Sequence, residues 1–320
     1  MSKFEMICAG ITCLDIVVTG NIGPHVFQVD STPVDTISLG IGGDAANQAI
    51  TASSLGLSAA LFSCVGDDWK AENLSGLLSE KGICIEYLQR YEHDTTMSSL
   101  VLVGREGQRN FLFDRGCGKN YVPNAYSLEA VKKARLLSIG SLFVMPEFDR
   151  HGAGSLLAEA KRHGVITVAD MTCDTEGAAD EVLDVLLPHI DYLMPSLEEA
   201  SAVTGAGDPA EMCRKLRDRG AGNVVIKLGS QGCYIDIDGV RGQIPAFTDI
   251  EVLDTTGCGD TFVAAFSYGI LKGYPPEECA AFAQAAAAIN ATHIGACGHI
   301  PSVEAVRSFL RDHPTQKIVS

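Results

Sequence analysis

Short apolar runs bounded by glycines or polar clusters recur along this chain, separated by longer stretches with helical periodicity. Phe4–Ala9 ends at Gly10 and reads as a buried strand; Asp44–Leu55, with Gly56 just beyond, reads as a helix with a glycine stop. Leu61–Val65 predicts a strand and Trp69–Lys81 a helix ending at Gly82. From residue 128 the alternation is regular. Helices are predicted at Leu128–Ala134, Gly152–Gly164, Glu181–Leu187, Leu197–Thr204 and Pro209–Gly220, and strands at Leu136–Ile139, Val165–Asp170, Tyr192–Pro195 and Val224–Leu228. That alternation implies a parallel sheet with right-handed crossovers, and such sheets bind ligands beyond the carboxyl ends of their strands. Cys233–Ile237 and Val240–Pro245 flank Asp238-Gly239, a two-residue hairpin turn. The Ala-rich Phe262–Leu271 and then Glu277–Thr292 predict closely packed helices.

Two stretches break this rhythm. Thr95–Val103 and Asn110–Phe113 flank Gly104–Gly107 with the alternating character of a hairpin, and Asp15–Ile37 is strand and turn, with Pro24 and Pro33. Together they predict a small antiparallel sheet apart from the core. No internal repeat or low-complexity linker divides residues 1–320.

Composition narrows the function classes. A chain of 320 residues with 46% hydrophobic and 20% charged side chains can bury a sizeable core. A net charge of −16 repels phosphate backbones, which argues against nucleic acid as a partner. The 11 cysteines include no Cys-x-x-Cys pair and sit mostly in apolar runs, which predicts reduced thiols in the cytoplasm. The N-terminus lacks a basic region followed by an apolar run, and no segment reaches about 18 apolar residues, so no membrane span is expected. His293 and His299 lack the spacing of metal ligands on a helix.

The densest chemistry lies in Asp254–Asp260, Asp-Thr-Thr-Gly-Cys-Gly-Asp, which runs into the apolar helix beginning near Thr261. A glycine turn feeding a helix N-terminus gathers backbone N–H groups and the positive end of the helix dipole, a site for phosphate. Asp260 would repel that phosphate if aimed at it; it makes sense facing a nucleophile beside it, where a carboxylate can take the proton that leaves late in phosphoryl transfer. A simple helix cap is the competing reading of the short motif.

The longer pattern resembles the carboxyl-terminal signature of the ribokinase-like (PfkB-type) carbohydrate kinases, with Cys258 where Ala is usual, and Gly42-Gly43-Asp44-Ala45-Ala46-Asn47-Gln48-Ala49 resembles their amino-terminal signature. The resemblance spans essentially the whole chain. It implies a single three-layer α/β/α domain with a mostly parallel central sheet and a small β lid, about residues 12–38 and 94–115, that closes over a sugar and pairs with a second lid as a homodimer. It implies ATP-dependent transfer of the γ-phosphate, with Mg2+, to a hydroxyl, expected to be primary, of a monosaccharide or derivative. Asp260 is then the base, and Gly257, Cys258 and Gly259 supply the anion hole. Gly42 and Gly43 let the backbone approach the sugar, and Asp15 and Asn47 bind its hydroxyls. Arg115, after the lid hairpin, would meet an acidic or phosphorylated substrate. Ser196, where Asn is usual, Lys227, Gly229, Ser230 and Gly232 fall on the nucleotide side, with Gln284 near adenine. Glu199 would organise magnesium through water, and Asp254 and Gly295 lie where many members hold a monovalent cation, K+.

Within this family a nucleoside kinase is the alternative, although Gly43–Ala49 leans toward sugars. A dinucleotide-binding oxidoreductase would use Gly40-x-Gly42-x-x-Ala45 but leaves residues 254–260 unexplained, and no Gly-x-x-x-x-Gly-Lys-Ser/Thr loop occurs. A non-catalytic sugar-binding protein would keep Asp15 and Asn47 with no need of Asp260.

Overall fold

The computed structural model describes residues 3–105 and 109–313. The chain opens with β1 (Phe4–Gly10), then β2 (Cys13–Gly20), β3 (Thr36–Gly42), α1 (Asp44–Ser54), β4 (Ala59–Val65), α2 (Trp69–Glu80), β5 (Leu88–Arg90), β6 (Ser98–Gly104) and β7 (Arg109–Asp114). There follow α3 (Ala125–Val131), β8 (Ala134–Leu142), α4 (Ala153–Arg162), β9 (Ile166–Met171), α5 (Ala179–Leu186), β10 (Tyr192–Leu193), α6 (Leu197–Thr204), α7 (Pro209–Asp218) and β11 (Asn223–Lys227). The last elements are β12 (Cys233–Ile237), β13 (Val240–Ile244), α8 (Cys258–Lys272), α9 (Pro276–Ala291) and α10 (Val303–Asp312).

The central sheet is nine-stranded, in the order β13-β12-β11-β10-β9-β8-β1-β4-β5. From β11 to β5 neighbouring strands run parallel, and the β12–β13 hairpin closes one edge antiparallel. Two apolar clusters, one on each face, make the three layers: α3, α4, α5, α6 and α7 pack on one side, and α1, α2, α8, α9 and α10 on the other. Because both faces are covered, β4 is buried along its whole length, Ala59 to Val65, and is apolar except for Ser63, whose hydroxyl donates to the Gly10 carbonyl at 2.6 Å. Small residues such as Ala264, Ala265, Ala283 and Ala286, all fully buried, let α8 and α9 lie close together.

The second sheet, β3-β2-β6-β7, is built from the two stretches expected to form a small antiparallel sheet, with one correction: its central pair, β2 and β6, is parallel. The sheet is two antiparallel hairpins side by side, β2–β3 and β6–β7, whose first strands both leave the body in the same direction. The first hairpin runs on to Gly42, beyond the expected end at 38. Glu106 and Gly107 of the predicted turn lie outside the described residues. Three further differences have local causes. Asn124 accepts the Ser127 N–H at 3.0 Å and starts α3 three residues before the expected Leu128. β5 is only three residues long and too mixed in polarity to stand out. α10 has no counterpart among the expected elements; Ser302 caps it by accepting the Ala305 N–H, and Val303, Val306, Phe309 and Leu310 turn to the core.

Among the described residues no helix is long and apolar enough to cross a membrane. All 11 cysteines are free thiols.

Candidate active site

The site gathers at the carboxyl ends of β9, β10 and β11 and at the N-termini of α1 and α8. Gly257 is the N-cap of α8, with φ of 67°. A β-carbon there would stand 1.8 Å from the Ala296 carbonyl oxygen, so only glycine can make this turn. The Cys258 N–H leans on the Thr255 carbonyl at 3.2 Å. Gly259 and Asp260 follow in the first turn, where a helix has no carbonyl of its own to offer its N–H groups. The Cys258 thiol turns away toward the Ala287 carbonyl, and burial pushes its pKa up, so the helix N-terminus does not activate it.

Asp260 is buried, 7% exposed, and its Oδ2 accepts a hydrogen bond from Asn47 Nδ2 at 2.9 Å. This bond joins the two glycine-rich motifs. Burial first, then the neighbouring Asp44 and Asp170 carboxylates, push the Asp260 carboxyl well above the usual range, against the Asn47 bond and the Lys227 ammonium. Asn47 Oδ1, buried, has no protein partner. Asp44 at the start of α1 accepts from the Ser141 hydroxyl, and burial pushes its carboxyl up as well.

On the lid side, Asp15 lies on β2, opposite Gly40 of β3. A β-carbon on Gly42 would stand 2.3 Å from Asp15 Oδ1, so the glycine makes room for this carboxylate. Burial raises the Asp15 pKa to about 6, partly offset by the Cys13 thiol, which donates at 3.4 Å.

Lys227 is not a surface lysine. It ends β11, its Nζ lies 2.5 Å from Asp170 Oδ2 at the end of β9, and it points at the α8 turn, 3.3 Å from where a β-carbon on Gly259 would sit. Burial would lower its pKa, but Asp170, Glu199 and Asp260 outweigh burial and raise it, so the ammonium is held charged beside the anion hole. Gly229, Ser230 and Gln231 form a 3-10 turn just beyond it, closed by the Leu228 N–H on the Gly232 carbonyl at 2.8 Å. Ser196 and Glu199 form a capping box at α6: Glu199 Oε2 accepts the Ser196 N–H at 2.6 Å and Ser196 Oγ accepts the Glu199 N–H at 3.2 Å. Burial and Asp170 push the Glu199 carboxyl to about 7, with Lys227 opposing.

At three expected positions the side chains already have protein partners. Arg115 is paired with Glu176 at 2.5 Å in a partly exposed ion pair. Gln284 is 7% exposed; its Nε2 donates to the Ile244 carbonyl at 3.2 Å, while its buried Oε1 has no protein partner. Asp254 does not fit a bare monovalent cation. Its Oδ1 accepts the Thr256 N–H at 2.8 Å, its Oδ2 accepts the Gly295 N–H at 2.7 Å, and a guanidinium, Arg109 of β7, already lies 2.5 Å from Oδ2. Burial pushes the Asp254 carboxyl up, but these N–H groups, the Thr256 hydroxyl and Arg109 outweigh it and hold it below the usual range.

Magnesium fits differently. Among the described residues no three His, Cys, Asp or Glu side chains are arranged as a metal cage. Magnesium keeps most of its waters and takes one or two carboxylates plus phosphate oxygens, and Asp170 and Glu199, beside Lys227, can supply that. Asp44, Asp170 and Arg109 were missed from the sequence. Asp170 carried a usable signal, a carboxylate at the end of a buried strand; nothing along the chain links Arg109 to Asp254.

The family model for pfkB family carbohydrate kinases matches residues 4–303. Ribokinase of Haemophilus influenzae is 27% identical over 311 residues, covering 92% of this chain and 98% of that protein. Ribokinase of Schizosaccharomyces pombe is 29% identical over 312 residues, covering 93% and 95%. The structure of Arabidopsis thaliana ribokinase complexed with ribose and ATP matches with a TM-score of 0.83 at 26% identity, covering 97% of this chain and 99% of that one.

Proposed function

Because the chain belongs to the pfkB family of carbohydrate kinases, we propose that this site transfers the γ-phosphate of ATP to a primary hydroxyl of a monosaccharide, with Asp260 as the proton acceptor. The protein is an ATP-dependent sugar kinase, a phosphotransferase with an alcohol group as acceptor. The observation that carries the finer reading is the bond from Asn47 to Asp260, which sets a hydroxyl-binding amide against a carboxylate at the mouth of an anion-binding helix.

The roles follow from position. Asp15 and the open Oδ1 of Asn47 accept hydroxyl protons of the sugar and orient it. Asp260 takes the proton of the attacking hydroxyl; a carboxyl held above its usual range is a better acceptor once ionised. Lys227 and the first-turn N–H groups of α8 carry the charge that develops on the transferred phosphoryl group. Asp170 and Glu199 would hold magnesium through its water shell, and the ion would supply charge neutralisation for the phosphates. Gly229, Ser230 and Gly232 line the nucleotide side, next to Ser196. The lid excludes water that would compete as acceptor. Three carboxylates, Asp15, Asp44 and Asp260, face this region while Arg115 is engaged elsewhere, which favours an uncharged acceptor over a sugar acid or sugar phosphate.

The lid also supports a homodimer. Ile37, Leu39 and Leu112 are exposed apolar side chains on the face of its sheet opposite Asp15, the kind of surface a second lid would cover. Leu112→Asp should shift the protein from dimer to monomer by light scattering. The cytoplasm, which supplies ATP and keeps thiols reduced, is the compartment that suits 11 free cysteines.

An ATP-consumption screen with magnesium across neutral sugars, sugar acids, sugar phosphates and nucleosides tests the reading. ADP should form with a neutral monosaccharide. Turnover with nucleosides alone, or with none of these classes, overturns it.

A further inference from the structure

Arg109 stands on the lid, yet its contacts are in the loop that builds the anion hole. It opens β7 and pairs with Val103 of β6 in the lid sheet. Its Nη2 lies 2.5 Å from Asp254 Oδ2, and its Nη1 donates to the Thr256 hydroxyl. The Asp254 side chain is 2% exposed, and Arg109, itself 19% exposed, is the cation it is paired with. A buried carboxylate that loses its counter-ion is costly. Three residues on, the same loop reaches the Gly257 cap of α8, and the Thr256 carbonyl between them accepts from Asn290 Nδ2 at 3.0 Å.

We propose that Arg109 is a lid-borne positioning residue: closing the lid brings its guanidinium onto Asp254 and Thr256, and this completes the anion hole. The lid sheet makes the coupling mechanical. β7 is bonded to β6, β6 to β2, and β2 carries Asp15, paired across to Ser99. One hydrogen-bonded sheet therefore holds both the sugar-side carboxylate and the cation that secures the phosphate side. Closure over the acceptor and readiness for transfer become one event, which protects ATP from water when no sugar is present. Arg109 touches no reacting atom in this scheme. It acts through the loop 254–257, and its guanidinium takes the place that a bare monovalent cation would need at Asp254.

This inference rests on the kinase reading for its catalytic consequence, so the experiment has two arms. In the first, wild type, Arg109→Gln and Arg109→Lys are compared by steady-state kinetics with the best neutral sugar. Arg109→Gln should lower kcat at least about tenfold with KM for ATP little changed, Arg109→Lys should recover part of it, and millimolar guanidinium or potassium chloride should restore Arg109→Gln while leaving wild type unmoved. In the second arm, amide hydrogen exchange needs no turnover: Arg109→Gln should speed exchange across 254–261, far from the substitution in sequence, and guanidinium should slow it again. Unchanged kcat, or a loss that neither added cation restores, overturns the proposal. So does unchanged exchange at 254–261 in a variant whose melting temperature shows it folded. If no sugar supports turnover in wild type, the kinase reading fails by itself, and the exchange arm still decides whether Arg109 orders the loop.

Discussion

Asn47 Nδ2 donates to Asp260 Oδ2 at 2.9 Å, across 213 residues of chain. The bond favours the ionised carboxylate, against burial and the Asp44 charge, which push the other way. Asp260 must be ionised to accept a proton, so activity should rise with pH along an acid limb that lies above the usual carboxylate range. Removing the Asn47 donor removes a term that favours ionisation. Asn47→Ala should therefore move the acid limb of kcat to higher pH, as read from a pH–rate profile at saturating sugar. A limb that stays in place would detach Asn47 from Asp260 ionisation.

Asp260→Asn keeps the shape of the side chain and removes the proton acceptor. Turnover should fall by ~10²–10⁴, while nucleotide binding measured by calorimetry stays close to wild type. A variant with near-normal turnover would remove Asp260 from the base role.

Asp15→Ala should raise KM for the sugar far more than KM for ATP, because Asp15 belongs to the lid and Lys227 to the nucleotide side. Equal effects on both constants would place Asp15 outside the sugar pocket. With a carboxyl pKa near 6, sugar affinity should also weaken as pH falls through about 6, since hydroxyl donors need the ionised form.

Lys227 and Asp170 are a buried pair, their side chains 15% and 6% exposed. Lys227→Met leaves Asp170 unpaired and should cost about 3–5 kcal/mol of stability, as well as turnover. Adding Asp170→Asn should return part of the stability without returning turnover. Urea unfolding of the single and double variants checks the first statement, and kinetics the second.

Stability should fall as pH rises from about 4 to about 7 in the ligand-free protein, within the carboxylate window. Burial raises Asp15 to about 6, Glu199 to about 7 and Asp149 to about 7. Between the unfolded and folded values the native state binds more protons than the unfolded one, so raising pH releases them and weakens the fold. Asp149 lies outside the proposed site, with its Oδ1 buried and unpartnered. Asp149→Asn should flatten the slope of melting temperature against pH without loss of activity; an unchanged slope would remove Asp149 from this effect.

The layered core was legible in the sequence because burial on both faces leaves a one-dimensional trace. The apolar runs of β1, β4 and β9 and the turn Asp238-Gly239 could be read directly, and so could the Gly257 turn, whose left-handed backbone suits no other residue. The start of α3 was not readable to the residue, because Asn124 decides it through a side-chain bond that competes with its neighbours' propensities. The parallel pairing of β2 with β6 was also hidden, since strand direction in the lid depends on where two distant hairpins leave the body.

For the site, the sequence by itself determined the local chemistry: a glycine turn, a helix start and the carboxylate Asp260 beside it. Only the tertiary structure decided which charges face each other. Electrostatics acts through space, falling with distance rather than with separation along the chain. That is why Lys227 lies against Asp170 and Gly259, why Arg115 is paired with Glu176, and why a lid arginine holds Asp254. No local pattern encodes those pairs, because each joins elements that meet only when the sheet and its lid have folded.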